Sequence, residues 1–307
     1  MEPTDYVARL RAQAGDPGRE EALRRDRAVG RRRIALSAGA GVLLLGGFGY
    51  WLGDVTGERP PYEPFGARVL HEETWPLEWP YTSDMPFRNS PASGWADGAD
   101  GVHVPVPVAS GGLGAKEMTA VLEDVKTLLV GTNVAEDTLA GAEPTAALAL
   151  LDPRGADEAV RKDLVTRFDP REAQLDESGV RTRGTMTYEV SAAGEMTVHV
   201  DYSFVYPLVW TEGHEVLPDV PEVSRIAVRR QFTVTSKGGK LVLGAYASEV
   251  ADDCAAPKDG YLHPLSAEGR WEAGRAARGP RVTQADLYEE KRVLPSGPGH
   301  CVTPTGT

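Results

Sequence analysis

From residue 34 to residue 53 the chain carries no charged side chain, and no other stretch is comparably apolar. At about 1.5 Å per helical residue, twenty such positions span the roughly 30 Å hydrocarbon core of a bilayer, so the pattern predicts one transmembrane helix. A different pattern follows. Pro60, Pro61, Pro64, Pro76, Pro80, Pro86, Pro91, Pro105 and Pro107 deny residues 54–114 any long helix and predict an extended arm. Helical periodicity begins after Gly114. Met118, Val121, Leu122, Val125, Leu128 and Leu129 fall on one stripe, with Lys116, Glu117, Glu123, Asp124 and Lys126 elsewhere, which predicts an amphipathic helix with a core face. Shorter helices are expected over 144–151 and 157–168.

After Pro170 the period falls from 3.6 to 2. Val180, Met186, Tyr188 and Val190 alternate with Arg181, Arg183, Thr185, Thr187 and Glu189. Met196, Val198, Val200, Tyr202, Phe204 and Tyr206 then alternate with Thr197, His199, Asp201 and Ser203, and the link Ser191-Ala192-Ala193-Gly194 makes the two runs a hairpin. A second hairpin joins Ile226, Val228, Phe232 and Val234 to Leu241, Leu243, Ala245 and Ala247 through Lys237-Gly238-Gly239. Helices followed by strands with one apolar face predict an α+β fold. Its expected form is a single N-terminal transmembrane helix, then an ectodomain with helices packed on a curved, antiparallel, four-stranded sheet. The expected domain order is a cytoplasmic segment 1–33, the span 34–53, the arm 54–114, the α+β domain 115–250 and a tail 251–307.

Charge fixes the orientation of the span. The first 33 residues hold nine Arg and no Lys, whereas the thirty residues after Gly53 hold only Arg59 and Arg68. Basic flanks stay inside, so the C-terminal domain is expected outside the cell membrane and the N-terminus in the cytoplasm. The same basic-then-apolar order describes an export signal, and Arg31-Arg32-Arg33-Ile34-Ala35-Leu36 loosely resembles the twin-arginine kind. Retention is favoured, because the apolar run is long, ends in Gly49-Tyr50-Trp51-Leu52-Gly53 and offers no A-x-A-like site. Ala35, Gly39, Val42, Gly46, Gly49 and Gly53 line one face of the span; such a stripe lets helices pack closely in lipid and suggests a protein partner or a homo-oligomer. The alternative is a span that is simply rich in glycine.

Beyond residue 33 the chain has 24 basic and 39 acidic residues, a net charge of −15. That balance repels phosphate backbones and excludes nucleic acid as the partner. Cys254 and Cys301 are the only cysteines, both on the expected outer side, where an oxidising environment favours a disulfide that pins the tail. Trp75, Trp79, Tyr81, Phe87 and Trp95 carry too much apolar area to be left in water, so the arm is expected to lie along its own domain or line a ligand groove.

Two resemblances follow from this order. A long helix, short helices and then long antiparallel strands is similar to cystatin-like and nuclear-transport-factor-like domains, including ectodomains of single-pass assembly proteins of bacterial secretion systems. That resemblance implies a curved sheet whose polar side takes a ligand. The phrases FRNSPASGWADGADGV (87–102), LALLDP (148–153), LVTRFDP (164–170) and DYSFVYPL (201–208) resemble those of membrane-anchored actinomycete proteins without an assigned activity. No catalytic residue carries over from either group.

The chemical motifs are few. His71, His103, His199, His214, His263 and His300 are scattered with no HExxH spacing, there is no GxSxG or SxxK, and no nucleotide-binding loop follows a strand. Asp97-Gly98-Ala99-Asp100-Gly101 lacks the alternating ligands and distal Glu of a calcium loop and reads as a polar turn. No metal and no cofactor are expected. The remaining candidate is the polar side of the sheet, where Arg181, Arg183, His199, Asp201, Arg229 and Gln231 would project together. That face suits an acidic peptide, or acid/base work by His199 and Asp201; a solvated, salt-bridged face is the plainer reading. The expected function is a non-enzymatic, membrane-anchored extracytoplasmic binding or assembly module. The alternative is a small-molecule-binding or hydrolytic enzyme using the concave sheet face.

Overall fold

The computed structural model describes residues 72–75, 79–217, 220–251, 254–269 and 280–305. The predicted span 34–53 and its small-residue stripe lie outside the described residues, as do the segment 1–33 and the arm up to residue 71. No helix among the described residues is long and apolar enough to cross a membrane.

The first long helix, α1 (Ala115–Asn133), begins where Glu117 turns back to accept the Gly114 N–H at 3.0 Å, satisfying one of the donors that a helix start leaves open. Its stripe of Met118, Leu122, Val125, Leu128 and Leu129 is fully buried. At its far end the Thr132 and Asn133 carbonyls accept from the Thr166 N–H (2.9 Å) and the Tyr206 hydroxyl (2.8 Å), so sheet and loop cap the helix together. Three short helices follow: α2 (Glu136–Leu139), α3 (Thr145–Leu148) and α4 (Glu158–Asp163). Helix α4 is capped by Asp157, which accepts the Val160 N–H at 2.8 Å. It stops five residues short of the expected end. From there the chain is extended, and Phe168 N–H reaches the Leu139 carbonyl at 2.9 Å while Leu164, Val165 and Phe168 bury their side chains.

The strands are β1 (Tyr81–Thr82), β2 (Ala96–Asp97), β3 (Ala173–Leu175), β4 (Arg181–Val190), β5 (Met196–Trp210), β6 (Glu215–Leu217), β7 (Val220–Lys237), β8 (Lys240–Ala251), β9 (Arg281–Thr283), β10 (Gly297–Cys301) and β11 (Thr303–Thr305). Their centre is β4-β5-β7-β8, built from the two hairpins that the alternation predicts. Gly238 and Gly239, at φ 59° and 74°, supply the left-handed pair that a two-residue hairpin needs between β7 and β8.

The expectation of four antiparallel strands is corrected: the sheet is mixed and has nine strands. Strand β10 pairs β8 in parallel, β2 pairs β4, β3 pairs β5, and β1 and β6 pair β7. The reason is open backbone. Strands β5 and β7, of 15 and 18 residues, outrun their main partners and are met by β1, β3 and β6, while β2 and β10 cover the outer edges of β4 and β8. Segments of two to five residues are too short to print a period. A second correction concerns phase, since a bulge between Phe232 and Val234 shifts β8 against β7. Beyond Leu243 the side chains on the helix side are therefore Tyr246, Ser248 and Val250, and Ala245 is exposed. A short α5 (Gln284–Leu287), the two-stranded parallel pair β9-β11 and three 3-10 turns (Glu72–Thr74, Pro91–Gly94 and Gly98–Gly101) complete the described elements.

The helix side of the sheet contributes Met196, Val198, Val200, Tyr202, Phe204, Tyr206 and Leu208 to one core with the α1 stripe. A second, smaller core lies elsewhere. Val205, Ala227 and Ala251 pack with Phe87, Ala92 and Trp95 from the N-terminal segment and with Val282, Leu287 and Val302 from the C-terminal one.

Candidate functional site

Cross-strand pairing decides which of the polar-face residues meet. Ser203 stands opposite both Arg183 and Arg229, and Asp201 opposite both Thr185 and Gln231. The Arg229 guanidinium grips the Asp201 carboxylate through Nε (2.9 Å) and Nη2 (2.8 Å), and Gln231 Nε2 donates to the same carboxylate at 2.8 Å. Arg229 is almost wholly buried. Its remaining donors reach the Glu289 carbonyl (2.9 Å), the Arg292 carbonyl (3.0 Å) and the Glu290 carbonyl. Arg183 pairs with Glu290 and lies over the Trp95 ring, while Arg181 pairs with Asp97 and lies over Phe87. His199 stands apart. It is 45% exposed and 3.4 Å from Glu189, one register row away from Asp201.

This face is thus a clasp for both ends of the domain. Two members had no signal in the sequence: Arg292, whose Nη1 donates to Glu249 at 2.7 Å, and Glu249 itself, buried to 3% exposure. The two lie 43 residues apart, and either alone reads as a solvated charge.

Three aromatic residues of the arm, Tyr81, Phe87 and Trp95, are buried against the domain. Arg88 organises their neighbours: it pairs with Glu72 at 3.3 Å, donates to the carbonyls of Glu72, Trp75, Trp79 and Pro80, and faces the Trp75 and Tyr81 rings. Burial raises the Glu72 pKa, and hydrogen bonds from the Thr82 hydroxyl and N–H together with the Arg88 charge offset part of that rise.

A cleft of about 470 Å³ opens on the helix side of the sheet, between α4, β8, β10 and the loop 254–263. Arg230 stands at its base, 3.4 Å from Asp163, whose carboxylate also accepts from the Tyr246 hydroxyl (2.7 Å) and the Ser248 hydroxyl. Burial opposes the Asp163 charge, yet Arg230 and these donors outweigh it and hold the carboxyl below its ordinary range. Ser248 Oγ accepts the Gly299 N–H at 2.9 Å, which ties β10 to the same network.

The outer wall of the cleft is fastened at three points. Leu262 N–H reaches the Arg167 carbonyl at 2.8 Å, Cys254 and Cys301 stand at disulfide distance with Cα atoms 5.6 Å apart, and His263 lies between Glu172 (2.7 Å) and Asp259 (3.2 Å). Burial works against a charged His263, but the two carboxylates prevail and raise its pKa. Among the described residues no group of three His, Cys, Asp or Glu side chains comes together to hold a metal ion.

The described domain is an α+β fold with its long helix on one side of a mixed sheet and terminal segments, α5 among them, clasped to the positions of the other alternation. Comparison with family models, curated proteins and solved structures gives no match to this chain.

Proposed function

We propose that this chain is a single-pass membrane protein, N-terminus in the cytoplasm, whose extracytoplasmic domain is a binding or assembly module without chemistry of its own. The observation that carries the reading is the closure of the polar clusters on themselves. Asp201 is consumed by Arg229 and Gln231, and His199 faces Glu189 rather than Asp201. The Ser248 hydroxyl donates to Asp163, but Arg230 pairs with that carboxylate and helps hold its pKa below the ordinary range, which leaves it a weak base for activating a nucleophile. The arginine asymmetry about residues 34–53 supports the orientation, and a cysteine pair at bonding distance suits the oxidising side of a membrane.

The test has two parts. Protease added to intact protoplasts should remove the domain after residue 53 and spare residues 1–33; the opposite pattern overturns the orientation. Capture of the intact protein from membranes, with mass spectrometry of what accompanies it, should yield a specific companion or a second copy. Oligomers should then weaken when Gly39 and Gly46 of the small-residue stripe are replaced by Leu. A purified chain that turns over substrate would overturn the module reading.

A further inference from the structure

We infer that the cleft between α4 and the loop 254–263 binds a small amphiphilic anion, an apolar body carrying one carboxylate or phosphate. Its volume of about 470 Å³ lies within the roughly 300 to 1,000 Å³ usual for small-molecule sites. The walls supply the apolar half: Val165, Val250, Pro257, Leu262 and Pro298 line them.

The charge of the cleft supplies the other half. Although the chain beyond residue 33 has a net charge of −15, the cleft is lined by Lys162, Arg167, Arg230 and Lys258 against Asp163 and Asp259, with Arg167 also paired to Glu143. Both carboxylates are already engaged, Asp163 by Arg230, Tyr246 and Ser248, and Asp259 by His263 and the Tyr261 N–H. The lysines are engaged far less. Among the described residues Lys162 pairs with Glu158, one helical turn away on a face where both side chains are more than two-thirds exposed and solvent screens the attraction. Lys258 is exposed at the rim. An anion entering the cleft therefore meets two exposed ammonium groups above an apolar pocket, and the low-dielectric walls focus their field on it.

The site is also preorganised. The loop that forms its outer wall is fastened by the Leu262–Arg167 hydrogen bond, the His263 clamp and the cysteine pair, so little ordering cost falls on binding. The proposal goes beyond the module reading and does not depend on the orientation of the span.

The test is calorimetric titration of the intact, detergent-solubilised chain with 2-naphthoate, 2-naphthyl phosphate and the uncharged 2-naphthamide. Binding of such probes is expected at about the millimolar level or tighter. One site per chain is expected, with at least one anion about tenfold tighter than the amide. The ratio of the two anions then names the head group. Lys162→Gln combined with Lys258→Gln should bring the favoured anion to within about twofold of the amide while leaving amide binding unchanged. Equal affinity for anion and amide, anion binding untouched by the double variant, or no saturable heat up to about 10 mM would each overturn the proposal.

Discussion

The two sets of alternate positions on the sheet are covered in opposite ways. On the helix side, apolar residues of β5, β7 and β8 meet the stripe of α1 together with Leu139, Leu148, Leu151 and Phe168, and the contacts of the long elements follow from periodicity within each. On the other side, apolar residues are few and the covering segments come from the two ends of the domain, fixed by Arg183, Arg229 and Arg292 to carboxylates and backbone carbonyls. The helix side is held mainly by area removed from water. The other combines a smaller apolar core with directional charge pairs, of which Arg229–Asp201 and Arg292–Glu249 are largely buried and costly to break one-sidedly.

That contrast should be sharpest under mutation of the helix-side core. Phe204, fully buried between the Tyr202 and Tyr206 rings, should cost about 3 to 5 kcal/mol as Phe204→Ala, lowering protection across the whole domain in native-state hydrogen exchange. The control Thr197→Ala, half-buried in the opposite phase of the same strand, should stay within about 0.5 kcal/mol.

Cys301→Ser acts on the tail. Removing a link across a sequence separation of 47 should cost about 3 to 4 kcal/mol, with exchange rising first in 254–269 and 297–305 and only later in β4 and β5. Equal loss in all segments would show that the tail and the helix-side core unfold as one unit.

Arg229→Met should cost about 2 to 3 kcal/mol, because it strands the Asp201 carboxylate and three carbonyls of residues 289–292. Adding Asp201→Asn should recover part of that loss, since the half-buried carboxylate that lost its cation is then gone. A double variant no better than the single would mean that the carbonyl contacts carry the clasp.

The smallest effect belongs to pH. His263 has a folded pKa raised above 6.5, so folding favours its charged form. Its contribution is complete below about pH 6.5 and is lost as pH rises through the raised folded value. Protection of residues 254–263 should fall across that window in the wild-type chain and stay flat in His263→Gln; a slope of equal size in the variant would assign the effect to another group.

Those outcomes bear on how much of the molecule was written locally. The stripe of α1, the alternation of β5 and the glycine pair at 238–239 were legible because each needs only neighbours within one element. The polar phase of β4, β5 and β7 was legible too, which is why Arg183, Asp201, Arg229 and Gln231 were picked out together. What Arg229 does was not. Its partners lie 28 to 63 residues away, and a buried guanidinium has the same letter as a solvated one.

By itself, then, the sequence determined the α+β class, the central four strands and the helix stripe, since burial of one face imposes a period on any element long enough to show it. Tertiary structure alone decided the five added strands, the bulge that rephases β8 and the cleft floored by Asp163 and Arg230. Strands of two to five residues and charge pairs between distant segments gain their free energy only from what the folded chain brings opposite them.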